Sequence, residues 1–195
     1  MKKAALELSV NFLVILIISV VVLGFGIYLM QQIFAGANKS VLAWNDRMKA
    51  EIESALDDGS LVAVSFDTKD VHNGELATFG VGLLNINDPL SGSTTVDFTV
   101  QVKFKEAFKP GQTTSFCSPP GCSTPNTWLK SSQQTPNPTT GLTLQYSLKK
   151  YERKDDILIG VEPVNAEKGR YLYELSVTSS GSPYGNKEVL IVNVI

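Results

Sequence analysis

The sequence predicts an α+β protein: a long N-terminal helix, first apolar and then amphipathic, followed by an all-β sandwich of about seven strands. Three observations carry this. No charged side chain occurs from Leu8 to Ala37. Beyond that stretch, Val41, Met48, Ile52, Ala55 and Leu56 recur at helical spacing. From Leu61 onward, short runs alternate apolar and polar residues at period two.

The chain opens with a short basic leader, residues 1–7, holding Lys2 and Lys3. Residues 8–37 follow as a hydrophobic helix. A bilayer core of about 30 Å needs roughly 20 apolar residues in a helix, and this stretch exceeds that. A secretory signal has an apolar core of only about 7–15 residues. The small residues Ala35-Gly36-Ala37 leave cleavage there as an alternative. Lys2 and Lys3 precede the span, while a mixed set (Lys39, Asp46, Arg47, Lys49) follows it. The positive-inside rule then places the N-terminus in the cytoplasm and the rest outside the membrane.

Residues 38–58 continue the helix in amphipathic form, with one apolar face for a globular domain. Lys49, Glu51, Glu53 and Asp57 fall largely elsewhere. Asp57-Asp-Gly59 is the expected stop, with Gly59 as the C-cap. At about 1.5 Å per residue the whole helix would run roughly 75–80 Å.

The start, Met1-Lys-Lys-Ala-Ala-Leu-Glu-Leu-Ser-Val-Asn-Phe-Leu-Val-Ile-Leu-Ile-Ile18, resembles an archaeal type IV pilin precursor with a class III signal peptide type of leader. The resemblance covers about the first 55 residues. It implies processing and assembly roles for Lys3, Ala4, Ala5 and Glu7. In pilins the matching Glu is thought to neutralise the N-terminal amine of a neighbouring subunit, a pairing that sets register more than it stabilises. A cut after Ala4 meets the small-residue rule and makes Glu7 the third mature residue. A cut after Lys2 makes it the fifth and breaks that rule. Both sites stay open. The alternative for Glu7 is a headgroup position beside Lys2 and Lys3. Gly24 and Gly26 interrupt the apolar run, for close helix packing or simply because glycine is common in membrane helices.

Residues 60–195 form the expected extracytoplasmic sandwich. Val96, Phe98, Val100, Val102 and Phe104 alternate with polar residues, as do Tyr171, Tyr173, Leu175 and Val177, and then Leu190, Val192 and Val194. Further strands are expected at 61–66, 76–85, 142–148 and 157–164. About seven strands with no second helix predict an immunoglobulin-like arrangement. The stretch Asn73–Asn85, together with Gly169–Val177, resembles adhesin-type immunoglobulin-like domains of archaeal surface proteins.

Residues 109–140 are rich in Pro, Ser, Thr, Gln and Gly and read as a long exposed loop. Within it, Cys117 and Cys122 are close enough for a local disulfide, which an extracytoplasmic compartment permits. Free thiols are the alternative. Asn38-Lys-Ser40 is a glycosylation sequon. Lys149–Asp156 reads as a mixed-charge turn.

The chain carries a formal net charge of −2, one His (His72) and two Cys. This balance does not mark a nucleic-acid binder. The inventory is poor for acid–base, thiol or zinc chemistry. Asp67 and Asp70 fall short of the oxygen ligands calcium takes. No catalytic set, cofactor or metal is expected. The function implied is a structural subunit of a type IV pilus-like surface filament exposing its β-domain for adhesion. Its partners would be copies of itself in a helical filament, the membrane before assembly, and a prepilin peptidase with pilus assembly machinery. It would begin in the cell membrane and end at the cell surface. A monomeric membrane-anchored binding module and an archaellin are the alternatives.

Overall fold

The computed structural model describes residues 12–26, 46–119, 121–122 and 124–195. They fall into two compact units divided between Asp46 and Arg47. In the first, residues 12–26 form helix α1. Most of the second is β-sheet.

Among the described residues, eleven strands build two sheets. In chain order they are β1 (Val62–Ser65), β2 (Thr68–Val71), β3 (Ala77–Leu84), β4 (Val96–Phe108), β5 (Ser115–Cys117), β6 (Leu129–Lys130), β7 (Leu142–Leu148), β8 (Arg153–Val161), β9 (Gly169–Ser179), β10 (Ser182–Pro183) and β11 (Glu188–Val194). The smaller sheet runs β1-β3-β8-β6. The larger runs β2-β11-β9-β4-β5, with β7 also on β4 and β10 also on β9. All pairings are antiparallel except β2 with β11.

Alternation decides which side chains meet between the sheets. Phe79, Val81 and Leu83 of β3 join Ile157, Ile159 and Val161 of β8 on one side. Phe98, Val100, Val102, Phe104, Tyr173, Leu175 and Val192 oppose them, and all belong to one buried cluster. A bulge on β4 between Phe104 and Glu106 shifts the register against β9. It leaves Ala107 buried and Glu106 only half-buried. Without that extra residue, strict period two would turn a carboxylate inward.

Helix α2, residues 46–57, packs on the outer face of the smaller sheet. Met48, Ile52 and Leu56 lie three or four apart and are buried, so they form one stripe. The floor beneath them is made by glycine. Gly80 and Gly82 of β3 point outward, and a Cβ on Gly82 would overlap Ile52 Cγ2. A Cβ on Gly80 would lie 2.8 Å from Ser65 Oγ and 3.0 Å from Ile52 Cδ1. Ion pairs flank the stripe: Lys49 to Asp155 at 3.3 Å and Arg153 to Asp57 at 2.7 Å. The helix closes at Gly59, whose φ is +97°. There the Ser60 N–H donates to the Ala55 carbonyl at 3.1 Å.

The α+β expectation of one long N-terminal helix is corrected by these observations. The described residues hold two short helical stretches, 12–26 and 46–57, and no helix among them is long and apolar enough to cross a membrane. Strand dominates, because β1 and β2 arise before residue 72, β5 and β6 arise inside 109–140, and β4 reaches 13 residues. The immunoglobulin-like count of about seven strands becomes eleven in a four- and a seven-stranded sheet. The charged run at 149–156 is also partly strand. β8 starts at Arg153, and its charges face solvent and α2 rather than a turn.

Two outcomes follow from this packing. Gly82→Val forces its side chain into Ile52 and is expected to lower stability by about 1–3 kcal/mol in chemical unfolding. Adding Ile52→Ala should recover part of that loss, giving a non-additive cycle. The second concerns Glu188, whose carboxyl is raised above the usual range by burial and then by Asp67. A folded-state pKa above the unfolded one favours the native state at acid pH, and that benefit is lost as pH rises through the folded value. Glu188→Gln should therefore raise Tm at neutral pH and leave it nearly unchanged at a pH below the ordinary carboxylate range.

Candidate functional site

The residues singled out by sequence are only partly among those described. Lys3, Ala4, Ala5, Glu7 and Asn38 lie outside the described residues. Gly24 and Gly26 belong to the described part of α1, where an added Cβ would meet nothing within 4 Å. Around them, the large apolar side chains of α1 are all exposed, from Val14 at 46% to Phe12 at 68%. Valine, leucine, isoleucine and phenylalanine point in every direction around the helix axis. Ser19 satisfies its hydroxyl by donating to the Ile15 carbonyl at 2.8 Å.

Cys117 and Cys122 form a disulfide. It closes the tip of the segment that follows β5. Phe116 and both cysteines are partly buried against the main core. Phe116 meets the Tyr171 ring edge-on at 6.0 Å, and Trp128 meets Tyr171 at 5.1 Å. Much of 109–140 is therefore anchored. A 3-10 turn at Thr124–Trp128 buries Pro125, Asn126 and Trp128. Asn126 is 1% exposed. Its Oδ1 accepts from the Phe104 N–H at 2.7 Å, and its Nδ2 donates to the Pro138 carbonyl at 2.9 Å. One amide thus fills the gap on β4 between β7 and β5. The Tyr173 hydroxyl donates to the Pro125 carbonyl at 3.1 Å, and burial pushes that phenol well above its ordinary pKa. Sequence reasoning gave Asn126 no role; nothing in its neighbours Pro125 and Thr127 signals a bond to residue 104.

A concavity of about 880 Å³ lies at one end of the seven-stranded sheet. Asp70, Asn193 and Arg170 form a cross-strand row there on β2, β11 and β9. Asn193 Nδ2 donates to Asp70 at 2.7 Å. The turn at Pro110–Thr113 forms one wall, and Lys109 beside it pairs with Glu167 at 3.2 Å. The row offers a guanidinium, an amide and a carboxylate on an open surface. It suits hydrogen bonding to a polar ligand, and it brings no nucleophile to a base.

His72 is exposed in a turn, and its backbone N–H donates to Glu75 at 2.9 Å. Asp67 accepts from Thr68, and Asp70 from Asn193, so the two carboxylates serve different partners. Among the described residues no group of three or more His, Cys, Asp or Glu is placed to hold a metal ion.

No family model matches the chain, and no curated protein matches it. Among solved structures, a family 123 glycoside hydrolase from Clostridium perfringens is similar at 13% identity and a TM-score of 0.40. The match covers 66% of this chain and 22% of that one, so the chain spans under a quarter of that protein's length. A likeness this slight carries no argument about fold or activity.

Opening the disulfide releases a short loop that is packed on the aromatic cluster. Cys117→Ser with Cys122→Ser is expected to cost about 2 kcal/mol of unfolding free energy, from the chain entropy of a small closed loop. Protease cleavage between residues 117 and 122 should rise at the same time, read by mass spectrometry of the fragments.

Proposed function

We propose that this chain is a structural subunit of a type IV pilus-like surface filament. In this reading the apolar N-terminal segment joins copies together, and the β-sandwich is held outward for contact with surfaces. The observation that supports it is the apolar character of α1 on every side. A helix of that kind is stable only when apolar groups surround it completely, as in a bundle of its own copies or in lipid. No catalytic step is assigned to the chain.

The cavity at Asp70, Asn193 and Arg170 favours a second reading, a membrane-anchored binding module that works as a monomer. Both readings use the apolar segment, one against copies of itself and the other against lipid.

The experiment is to shear cells that make the protein, view the released material by electron microscopy and sequence its N-terminus. Thin filaments of a chain that begins just before Glu7 are expected. A chain with Met1 intact that leaves the membrane only with detergent, and forms no filaments, would overturn the filament reading and leave the anchored module. Ile17→Lys places a charge in the middle of α1. It should abolish filaments while leaving the sandwich folded, because a buried lone ammonium is costly wherever the helix is surrounded.

A further inference from the structure

An open strand edge is where a sheet can accept another chain, and proteins usually blunt such edges with charge, proline or short length. Most open edges of this sandwich follow that rule. β1 and β2 have four residues each, β5 has three and β6 has two. The outer side of β8 carries Arg153, Lys154, Asp155 and Asp156 in succession.

β7 does not follow it. Leu142–Leu148 is seven residues long and contains no charge, no proline and no glycine. Its register with β4 is unbroken from Val96 to Val102. The Asp97 carbonyl accepts from Ser180 at the end of β9. Antiparallel backbone groups alternate in direction, so Phe98, Val100 and Val102 turn theirs to β7. The pairing then leaves Thr143, Gln145 and Ser147 with N–H and C=O groups directed away from β4. Among the described residues no strand pairs with that side.

We propose that this edge pairs, antiparallel and about a two-fold axis at Gln145, with β7 of a second copy of the chain. The sequence is complementary to itself under that operation. Gln145 faces Gln145, Thr143 faces Ser147, Leu144 faces Tyr146 and Leu142 faces Leu148. The first two pairs continue the polar outer row, and the last two continue the core side, where Leu142, Leu144 and Leu148 are buried. No like charges oppose one another, an arrangement that would be destabilising in a cross-strand pair. Lys149 of each copy falls opposite Gly141 of the other, so the two ammoniums stand roughly 27 Å apart at about 3.4 Å per residue. Three residues from each copy close about six backbone hydrogen bonds. A self-matching patch is what a two-fold interface requires. This contact is separate from any made by the apolar segment, and it does not depend on the filament reading.

Single-cysteine variants of the full chain in detergent test both the contact and its register. Gln145→Cys, Thr143→Cys and Ser147→Cys are oxidised with copper–phenanthroline and run on non-reducing gels. Q145C should cross-link to a dimer. T143C and S147C should each stay largely uncross-linked alone and should cross-link when mixed. Gln145→Lys puts two ammoniums face to face at the axis, and it should weaken dimerisation in sedimentation by about tenfold. Association through the apolar segment would not respond to that change. Q145C cross-linking no better than T143C alone, whether both are strong or both weak, overturns the proposal. So does sedimentation unchanged by Q145K. Circular dichroism of each variant confirms that the sheet is intact.

Discussion

The ladder between β4 and β9 is the contact on which the rest of the larger sheet is hung. It joins Phe98–Phe108 to Arg170–Ser179 across about 60 residues of intervening chain. β7 and β5 are registered only through β4, and β11 and β10 only through β9. β2 in turn is placed through β11. The inner faces of these two long strands supply Phe98, Val100, Val102, Phe104, Tyr171, Tyr173, Leu175 and Val177 to the core. A slip of one residue in this ladder would turn all of them to solvent. The bulge before Glu106 is the single place where the chain relaxes that register.

The smaller sheet depends on a different constraint, the absence of side chains. Gly80 and Gly82 let α2 approach closely enough for Ile52 to seat directly on the β3 backbone. The result is three layers: helix, four-stranded sheet and seven-stranded sheet. Gly141 shows the same economy elsewhere. Its φ is +78°, and a Cβ there would overlap the Val102 carbonyl. It therefore turns the chain into β7 where any larger residue would collide.

Much of the sandwich was legible because period-two alternation is strong in half-buried strands. β4 as far as Phe104, β7 and β9 follow it, and β11 keeps it in the buried row Leu190, Val192 and Val194. The stripe Met48, Ile52 and Leu56 was legible for the same reason at helical period. What stayed hidden has physical causes. The short strands β2 and β6 owe their form to partners far away in sequence, such as Asn193 for Asp70, and β5 is a three-residue return onto the end of β4. Asn126 sits in a polar, proline-bearing stretch that reads as a loop, and its buried amide is defined only by Phe104 and Pro138. The start of β8 carries four charges, which argue against a strand until α2 supplies the counter-charges. The two cysteines could be matched on spacing, whereas the row of Asp70, Asn193 and Arg170 comes from three separate strands and leaves no local pattern.

The parallel pairing of β2 with β11 bears on how the protein is made. β2 ends at Val71, and its partner is complete only at Val194. While the chain is being synthesised, β2 has nothing to pair with, and β4 waits for β9 in the same way. The apolar inner face of β4 stays open to other chains throughout that interval. Closure of the sandwich thus waits for β11 and has a high contact order. A nascent chain of this kind spends its most aggregation-prone period before its last strand exists.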